Sequence, residues 1–447
     1  MMQARGVLGV LAAFLTLAAS PAQAESVVYR GAVVIDGTGA APRTDVDVVV
    51  DGERIAALIP RGAAAPSGAR EVDASGLFVT PGLIDSHVHL ATPPDTKLAQ
   101  GVLRRQLFSG VTAVRDMADD LRSVAELARE ARSGDIPAPD IFFAAIMAGP
   151  SFFDDPRTAA AAQGFKPGTA PWMQAVDAAT DLPLAIAMAR GTGATAVKIY
   201  ANLPPEMVRR IAAEAHRQGL KAWAHGMVFP TPPAEVLAAR PDVVSHTCYL
   251  AYQVNAVKPQ TYQDPTPVEA SAFAKGPRPE MAALFATMKA QGTILDPTVR
   301  VYVETDKRWA SNPRGRPPRC AQTLAFDLTA QAVRAGVAVS AGTDGETEWT
   351  DPFPSLHEEL ELLAGKVGMA PLEVIHAATE VGARTLGQEA EMGTIAPGKL
   401  ANLLFVTRDP AKDVANLRSV AFTVKRGRVY KRADYKPITA EEGERAQ

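Results

Sequence analysis

Between Leu77 and Asp344 the chain repeats one pattern. A short apolar run, most often closed by a polar or ionisable residue, is followed by a helical stretch. The runs are LFVTPGLID, GVTAVRD, DIFFAAI, TAVKIY, KAWAHG, DVVSHT, TILDPT and VAVSAGTD. Between them lie amphipathic segments such as PEMVRRIAAEAHRQG and PEMAALFATMKAQG. Strands alternating with helices must pair in parallel, and eight of them make the pattern of a (β/α)8 barrel. In that architecture the chemistry sits at the C-terminal ends of the strands, where these runs place their polar residues.

The two ends of the chain read differently. SVVYRGAVVI and DVDVVVDGERIAAL are short alternating β runs, with Asp51-Gly52 as a hairpin signal. ANLLFVT and SVAFTVKRGRVYK supply more strands near the other terminus. The expectation is one small β-sandwich built from residues 25–80 and 389–435, around a barrel over 81–388, with a tail at 436–447. Two connections are long, from Ala148 to about Asp181 and from Tyr249 to about Pro279, and on the catalytic face they would wall a pocket. A basic, proline-rich piece from Asn312 to Arg319 reads as solvated surface.

Residues 1–24 carry Arg5, an apolar run from Val7 to Ala19, and Ala22-Gln23-Ala24. This is the form of a secretory signal with an A-x-A cleavage site. Its core is shorter than the roughly 20 residues that span a bilayer. The expected location is therefore exported, periplasmic or secreted, with no membrane span after cleavage. The net charge of −3 offers nothing to nucleic acid or an anionic membrane. The two cysteines, Cys248 and Cys320, form no framework or metal motif, and a single bridge between them is open in an oxidising compartment.

Of seven histidines, His87, His89, His225 and His246 fall at expected strand ends, whereas His216, His357 and His376 lie in helical patterns and read as structural. Residues two apart in a strand face the same side, so His87 and His89 aim together, as one metal ion requires. An isolated H-x-H is more often a hydrogen-bonded pair; two further strand-end histidines reverse that balance. Lys198 stands inside TAVKIY. A buried ammonium needs a carboxylate partner or must lose its charge. A neutral amine there could take up carbon dioxide, and the carbamate could bridge two metals. Asp344 closes the last run and suits a metal ligand and proton acceptor, with helix capping as the plainer alternative.

TPGLIDSHVHL, GVTAVRD, VKIY, WAHG, SHT and SAGTD, in this order, resemble the amidohydrolase superfamily, and AATEVGARTLG followed by GTIAPGKLANLLFV resembles its C-terminal signature. The pattern is most similar to imidazolonepropionase-like and prolidase-like members, including metal-dependent dipeptidases. The resemblance implies His87 and His89 on a first divalent metal and His225 and His246 on a second. It implies a carbamylated Lys198 bridging the two, and Asp344 as ligand and general base, then acid. Zinc suits imidazole and carboxylate ligands, with nickel, cobalt and manganese as alternatives. Two positions depart from the family: His246-Thr247-Cys248 replaces His-Gly, and Ala401-Asn402-Leu403 replaces Ala-Asp-Leu.

The implied reaction is hydrolysis of an amide by hydroxide held between the metals. Dipeptides of the Xaa-Pro type or N-acyl amino acids are the first expected substrates, and a homo-oligomer is possible. Tyr200, inward on the Lys198 strand, is a candidate for the oxyanion or a substrate carboxylate, with barrel-rim packing as the alternative; Arg300 is a candidate for the carboxylate, though it reads first as a surface arginine. Rival readings are a mononuclear deaminase or cyclic-amide hydrolase on the same fold, and a non-catalytic exported binding protein. A deaminase lacks its expected glutamate after His225, since Glu235 lies far along the chain.

Overall fold

The computed structural model describes residues 26–92, 94–314, 317–345 and 348–443. The signal-like segment lies outside them. Among the described residues, no helix is long and apolar enough to cross a membrane.

The N-terminal part forms strands β1 (Ser26–Arg30), β2 (Val33–Val34), β3 (Val46–Asp51), β4 (Arg54–Pro60), β5 (Arg70–Asp73) and β6 (Phe78–Pro81). The expected hairpin is present, with Asp51 opposite Arg54. One sheet runs β4-β3-β1-β5. Val27, Tyr29, Val48 and Val50 face a second sheet across a buried apolar layer, where Tyr29 packs on Phe405 at 4.9 Å between ring centroids.

The barrel begins one residue after β6, with β7 (Leu83–Val88). The run LFVTPGLID, expected as one strand, therefore serves two sheets. Gly82 makes the changeover: a Cβ there would lie 2.2 Å from the Thr112 side chain, so only a bare backbone passes so close. The strands β8 (Val111–Met117) and β9 (Asp140–Ala148) follow. The short β10 (Thr169–Ala170) and β11 (Met173–Ala175) extend the edge beside β9, within the first long connection. Then come β12 (Ala196–Ile199), β13 (Lys221–His225), β14 (Val243–Ser245) and β15 (Ile294–Asp296).

From β7 to β15 the seven barrel strands are parallel. The eighth run, VAVSAGTD, makes a single bridge, Leu295 to Val339, rather than a strand. It still closes the ring: Ser340 N donates to Leu295 O, and Ser86 N donates to Ala341 O. Its irregularity has a cause, because Gly342 packs where a Cβ would stand 2.2 Å from Asp296 Oδ1 and 2.8 Å from His87 Cβ.

The chain returns through β16 (Leu403–Val406), β17 (Val420–Lys425) and β18 (Arg428–Lys431), and the second sheet runs β18-β17-β16-β6-β2. Asn402, which replaces the Asp of the family's Ala-Asp-Leu, is buried in this seam and accepts a hydrogen bond from Arg426 N. Cys248 and Cys320 form a disulfide. The segment near Asn312 is exposed as expected, but its end is not loose surface: Arg319 donates to Asp264 O at 2.6 Å and also to Tyr262 O. Its guanidinium lies over the rings of Phe229 and Tyr262.

Candidate metal centre and substrate cavity

The eighth segment is zipped against the end of β7. Thr343 donates its backbone N–H and its hydroxyl to the Asp85 carboxylate, and Asp344 N donates to His87 O at 2.8 Å. This sets the Asp344 carboxylate among the imidazoles. Its Oδ1 lies 3.1 Å from His87 Nε2 and 3.2 Å from His89 Nε2, and its Oδ2 lies 3.8 Å from His246 Nε2. One ligand atom each of His87, His246 and Asp344 falls within 4.8 Å of the others. Three residues here take left-handed backbone without being glycine: His246 (φ +70°), Thr298 (φ +48°) and Asp344 (φ +49°). Each such residue costs of order 1 kcal/mol and survives only where its surroundings over-determine it.

Three of the four imidazoles are held from behind. His87 Nδ1 lies 2.8 Å from Asp296 Oδ2, His89 Nδ1 lies 2.7 Å from Asp119 Oδ1, and His246 Nδ1 lies 2.9 Å from Thr298 Oγ1. A proton on Nδ1 facing a carboxylate leaves the Nε2 lone pair pointing into the site, the arrangement of metal-ligating histidines. The support reaches further: Ser245 Oγ donates to Asp296 at 2.8 Å, and the buried Trp223 indole donates to Ser245 Oγ.

His225, at the end of β13, is buried with neither ring nitrogen hydrogen-bonded, and His87 Nε2 faces Asp344 Oδ1 at 3.1 Å without hydrogen-bond geometry. Buried polar atoms are rarely left so. Lys198, on β12, is 2% exposed, and Nζ donates to Met117 O at 3.3 Å. Among the described residues no carboxylate is in ion-pair contact with it, which bears on the choice left open from sequence. Divalent ions would satisfy these orphaned nitrogens, so the donor set fits a metal centre.

Electrostatics follow from burial and neighbours. Burial pushes the Lys198 ammonium below its usual pKa, with Asp344 and Asp119 pulling back. Burial, reinforced by His246 and Lys198, holds His225 well below the usual imidazole value, and burial takes His246 down to about 4. For His89 burial acts downward but the Asp119 carboxylate outweighs it, and the value rises to about 10. For Asp344 burial acts upward, yet His87, His89 and His246 overcome it and keep the carboxyl well below its usual range.

The centre floors a cavity of about 450 Å³. Phe152, Tyr200, Tyr249, Tyr262 and Tyr302 give it an aromatic wall. Tyr200 stands where the sequence suggested: its ring is 4.2 Å from the His225 ring, and its hydroxyl is 3.3 Å from that of Tyr262. Arg300 does not line this cavity. It is buried, and its Nε donates to Glu358 Oε2 at 2.6 Å. The cations along the cavity are Arg157 and Arg308 instead, besides Lys198. Sequence reasoning missed Asp119, Asp296 and Thr298. Asp296 and Thr298 stood in a quoted strand run, TILDPT, and their position at a strand end was the available signal.

The amidohydrolase family model matches residues 78–430, most of the chain. A 5-methylthioadenosine/S-adenosylhomocysteine deaminase of Symbiobacterium thermophilum is 26% identical over 408 residues, covering 86% of this chain and 85% of the relative. A dihydroorotase of Geobacter sulfurreducens is 46% identical over 68 residues, and that match spans only 15% of this chain and 16% of the dihydroorotase. Among solved structures, a Xaa-Pro dipeptidase with bound methionine in its active site superposes with a TM-score of 0.71 at 20% identity, covering 91% of this chain and all (100%) of the other. That last likeness is one of fold. With a family match that takes in the barrel, most of the second sheet and every residue of the centre, the chain belongs to the amidohydrolase family of metal-dependent hydrolases.

Proposed function

We propose that the protein is a binuclear hydrolase that cleaves the C–N bond of a small amide, with dipeptides of the Xaa-Pro kind and N-acyl amino acids as the first substrates to test. The observation that carries this reading is the pairing of a donor set lacking hydrogen-bond partners with a buried lysine that has no carboxylate partner among the described residues. His87, His89 and Asp344 would hold one ion, and His225 and His246 a second. Carbon dioxide adding to the neutral Lys198 amine, with release of one proton, gives a carbamate whose two oxygens suit a bridge. Zinc is the first candidate for both ions.

Divalent ions held by these residues would supply polarisation of the scissile carbonyl and a hydroxide nucleophile at neutral pH. Asp344 takes the proton of the attacking water and passes it to the leaving nitrogen as the C–N bond breaks. Its position suits it to the first task, with its Oδ1 3.1 Å from His87 Nε2 and 3.2 Å from His89 Nε2, at the centre of the proposed ligand set. Tyr200 donates its hydroxyl to the oxygen that gains negative charge. The aromatic wall excludes water and gives the substrate's side groups an apolar face.

A deaminase reading draws on the relative of that name. It meets two obstacles here. Lys198 would have no role, and the first glutamate after His225, Glu235, is exposed and paired with Arg209. The Cys248–Cys320 disulfide supports the proposal that the protein works in an exported, oxidising compartment.

The test is elemental analysis of protein purified without chelator, followed by assay on dipeptides and N-acyl amino acids. About two ions per chain and amine release support the reading. One ion with ammonia release from heterocycles would replace it with the deaminase, and no ion after metal add-back would end both.

A further inference from the structure

Glu359 is a fully buried carboxylate outside the ligand set, on the helix Leu356–Leu362 that follows the eighth segment. Its Oε1 accepts from Val299 N at 3.0 Å and its Oε2 from Arg300 N at 2.8 Å. These are the first two amides of the helix Val299–Ser311. A helix leaves its first N–H groups unsatisfied, and the residue before it ordinarily caps them with its own side chain. Here that residue is Thr298, a good capping type. It makes no cap: its backbone is left-handed (φ +48°, ψ +48°), and its hydroxyl is engaged at His246 Nδ1, 2.9 Å away.

The cap is thus supplied from another element, and this frees Thr298 for the imidazole. Two residues earlier in the same short segment, Asp296 holds His87. The guanidinium of Arg300 is fastened to Glu358, next to Glu359. Without Glu359, the bare helix end would compete for the Thr298 hydroxyl, and His246 would lose the partner that fixes its tautomer and aim.

We propose that Glu359 is a positioning residue of the metal centre, acting on His246 through Thr298. This rests on the metal-centre reading above and adds a residue that touches neither metal nor substrate.

The test is zinc affinity, measured by competition with a chromogenic chelator, together with thermal unfolding of each variant. Loss of an outer partner of a metal-bound histidine lowers affinity about 10–100-fold. Glu359→Ala is expected to weaken the more loosely held zinc by about that factor. Glu359→Gln keeps the volume and one acceptor oxygen, so it should fold and show a smaller loss. Thr298→Val removes the hydroxyl itself and should match Glu359→Ala. The double variant should be no weaker than Thr298→Val alone, because the two act in series. Asp181→Ala, which removes an ordinary cap from the helix Leu182–Gly191, should lower the melting temperature and leave zinc affinity alone.

If both Glu359 variants lower the melting temperature but bind zinc as the parent does, Glu359 is only a cap and the proposal fails. It also fails if the losses of Glu359→Ala and Thr298→Val multiply. A parent chain that binds no zinc or other divalent ion overturns the metal-centre reading itself, a distinct result.

Discussion

Two lysines are buried to nearly the same degree, Lys198 at 2% exposure and Lys425 at 4%, and they live in opposite circumstances. Lys425 ends β17, where the second sheet meets the barrel. Its Nζ lies 3.0 Å from Asp140 Oδ1 and donates to Ala131 O at 2.7 Å, and Arg426 binds the same carboxylate. Lys198 stands one residue before the end of β12, at the other face of the barrel, and donates to one carbonyl at 3.3 Å. Burial depresses both ammonium groups. At the seam a carboxylate and two donors close the account locally, and the cluster has nothing left to bind. At the mouth the deficit is left standing, and it is shared with the imidazole of His225. An unmet electrostatic need in an otherwise well-packed protein marks where something else must enter.

The sharpest way to break this contrast is Lys198→Ala. It should reduce bound metal from about two ions per chain to one or none and lower amide hydrolysis by about 100-fold or more. Elemental analysis and an amine-release assay check this, with circular dichroism confirming the fold. Full metal and full activity would make Lys198 another Lys425. The reciprocal change, Lys425→Met, should leave metal content untouched and cost about 2–3 kcal/mol in denaturant unfolding, because Asp140 keeps Arg426. Metal loss in that variant would show that the seam and the mouth are not independent.

Tyr200→Phe tests the wall rather than the floor. If the Tyr200 hydroxyl meets developing charge as proposed, removing it should lower kcat by about 10–100-fold with KM changed little, which steady-state kinetics on the best amide would show.

The smallest effect sharpens the comparison among imidazoles. His357, like His225, is buried, but its Nε2–H donates to Ser109 O at 2.9 Å, so its need is met within the protein. Burial holds its pKa down at about 3. Its unfolded value is near 6.5. The unfolded chain therefore binds the proton first, and stability present above about pH 6.5 is lost as pH falls toward the folded value. His357→Gln should flatten the decline in unfolding free energy between pH 7 and pH 5 by about 2 kcal/mol, which denaturant unfolding at the two pH values would show.

Much of this was legible in the sequence, for a physical reason. A barrel brings the ends of its strands together whatever lies between them, so His87, His89, Lys198, His225, His246 and Asp344 could be placed by strand position alone. The split of LFVTPGLID was less visible, since nothing before the fold says that Pro81 pairs with Leu403. The cavity wall was not legible. Phe152 and Tyr262 come from the two long connections, and Tyr262 is seated by Asn202, Arg157 and Arg319, contacts 57 to 105 residues away in sequence. Arg300 was misplaced because strand-end position says nothing of side-chain direction once a helix has started at Val299. Cys248, part of the departure from the family at strand six, took its meaning only from Cys320.

The second sheet carries a consequence for synthesis. The strand Leu403–Val406 lies between Phe78–Pro81 and Val420–Lys425 and pairs with both. A chain made from its N-terminus therefore holds one flank of that sheet open until nearly all the barrel has been translated. An unpaired edge of that kind invites association with other chains. The first sheet can be completed from residues 26–73 alone, but the second cannot close before its C-terminal strands are made, so a carrier that shields the open strand Phe78–Pro81 until then would serve the chain.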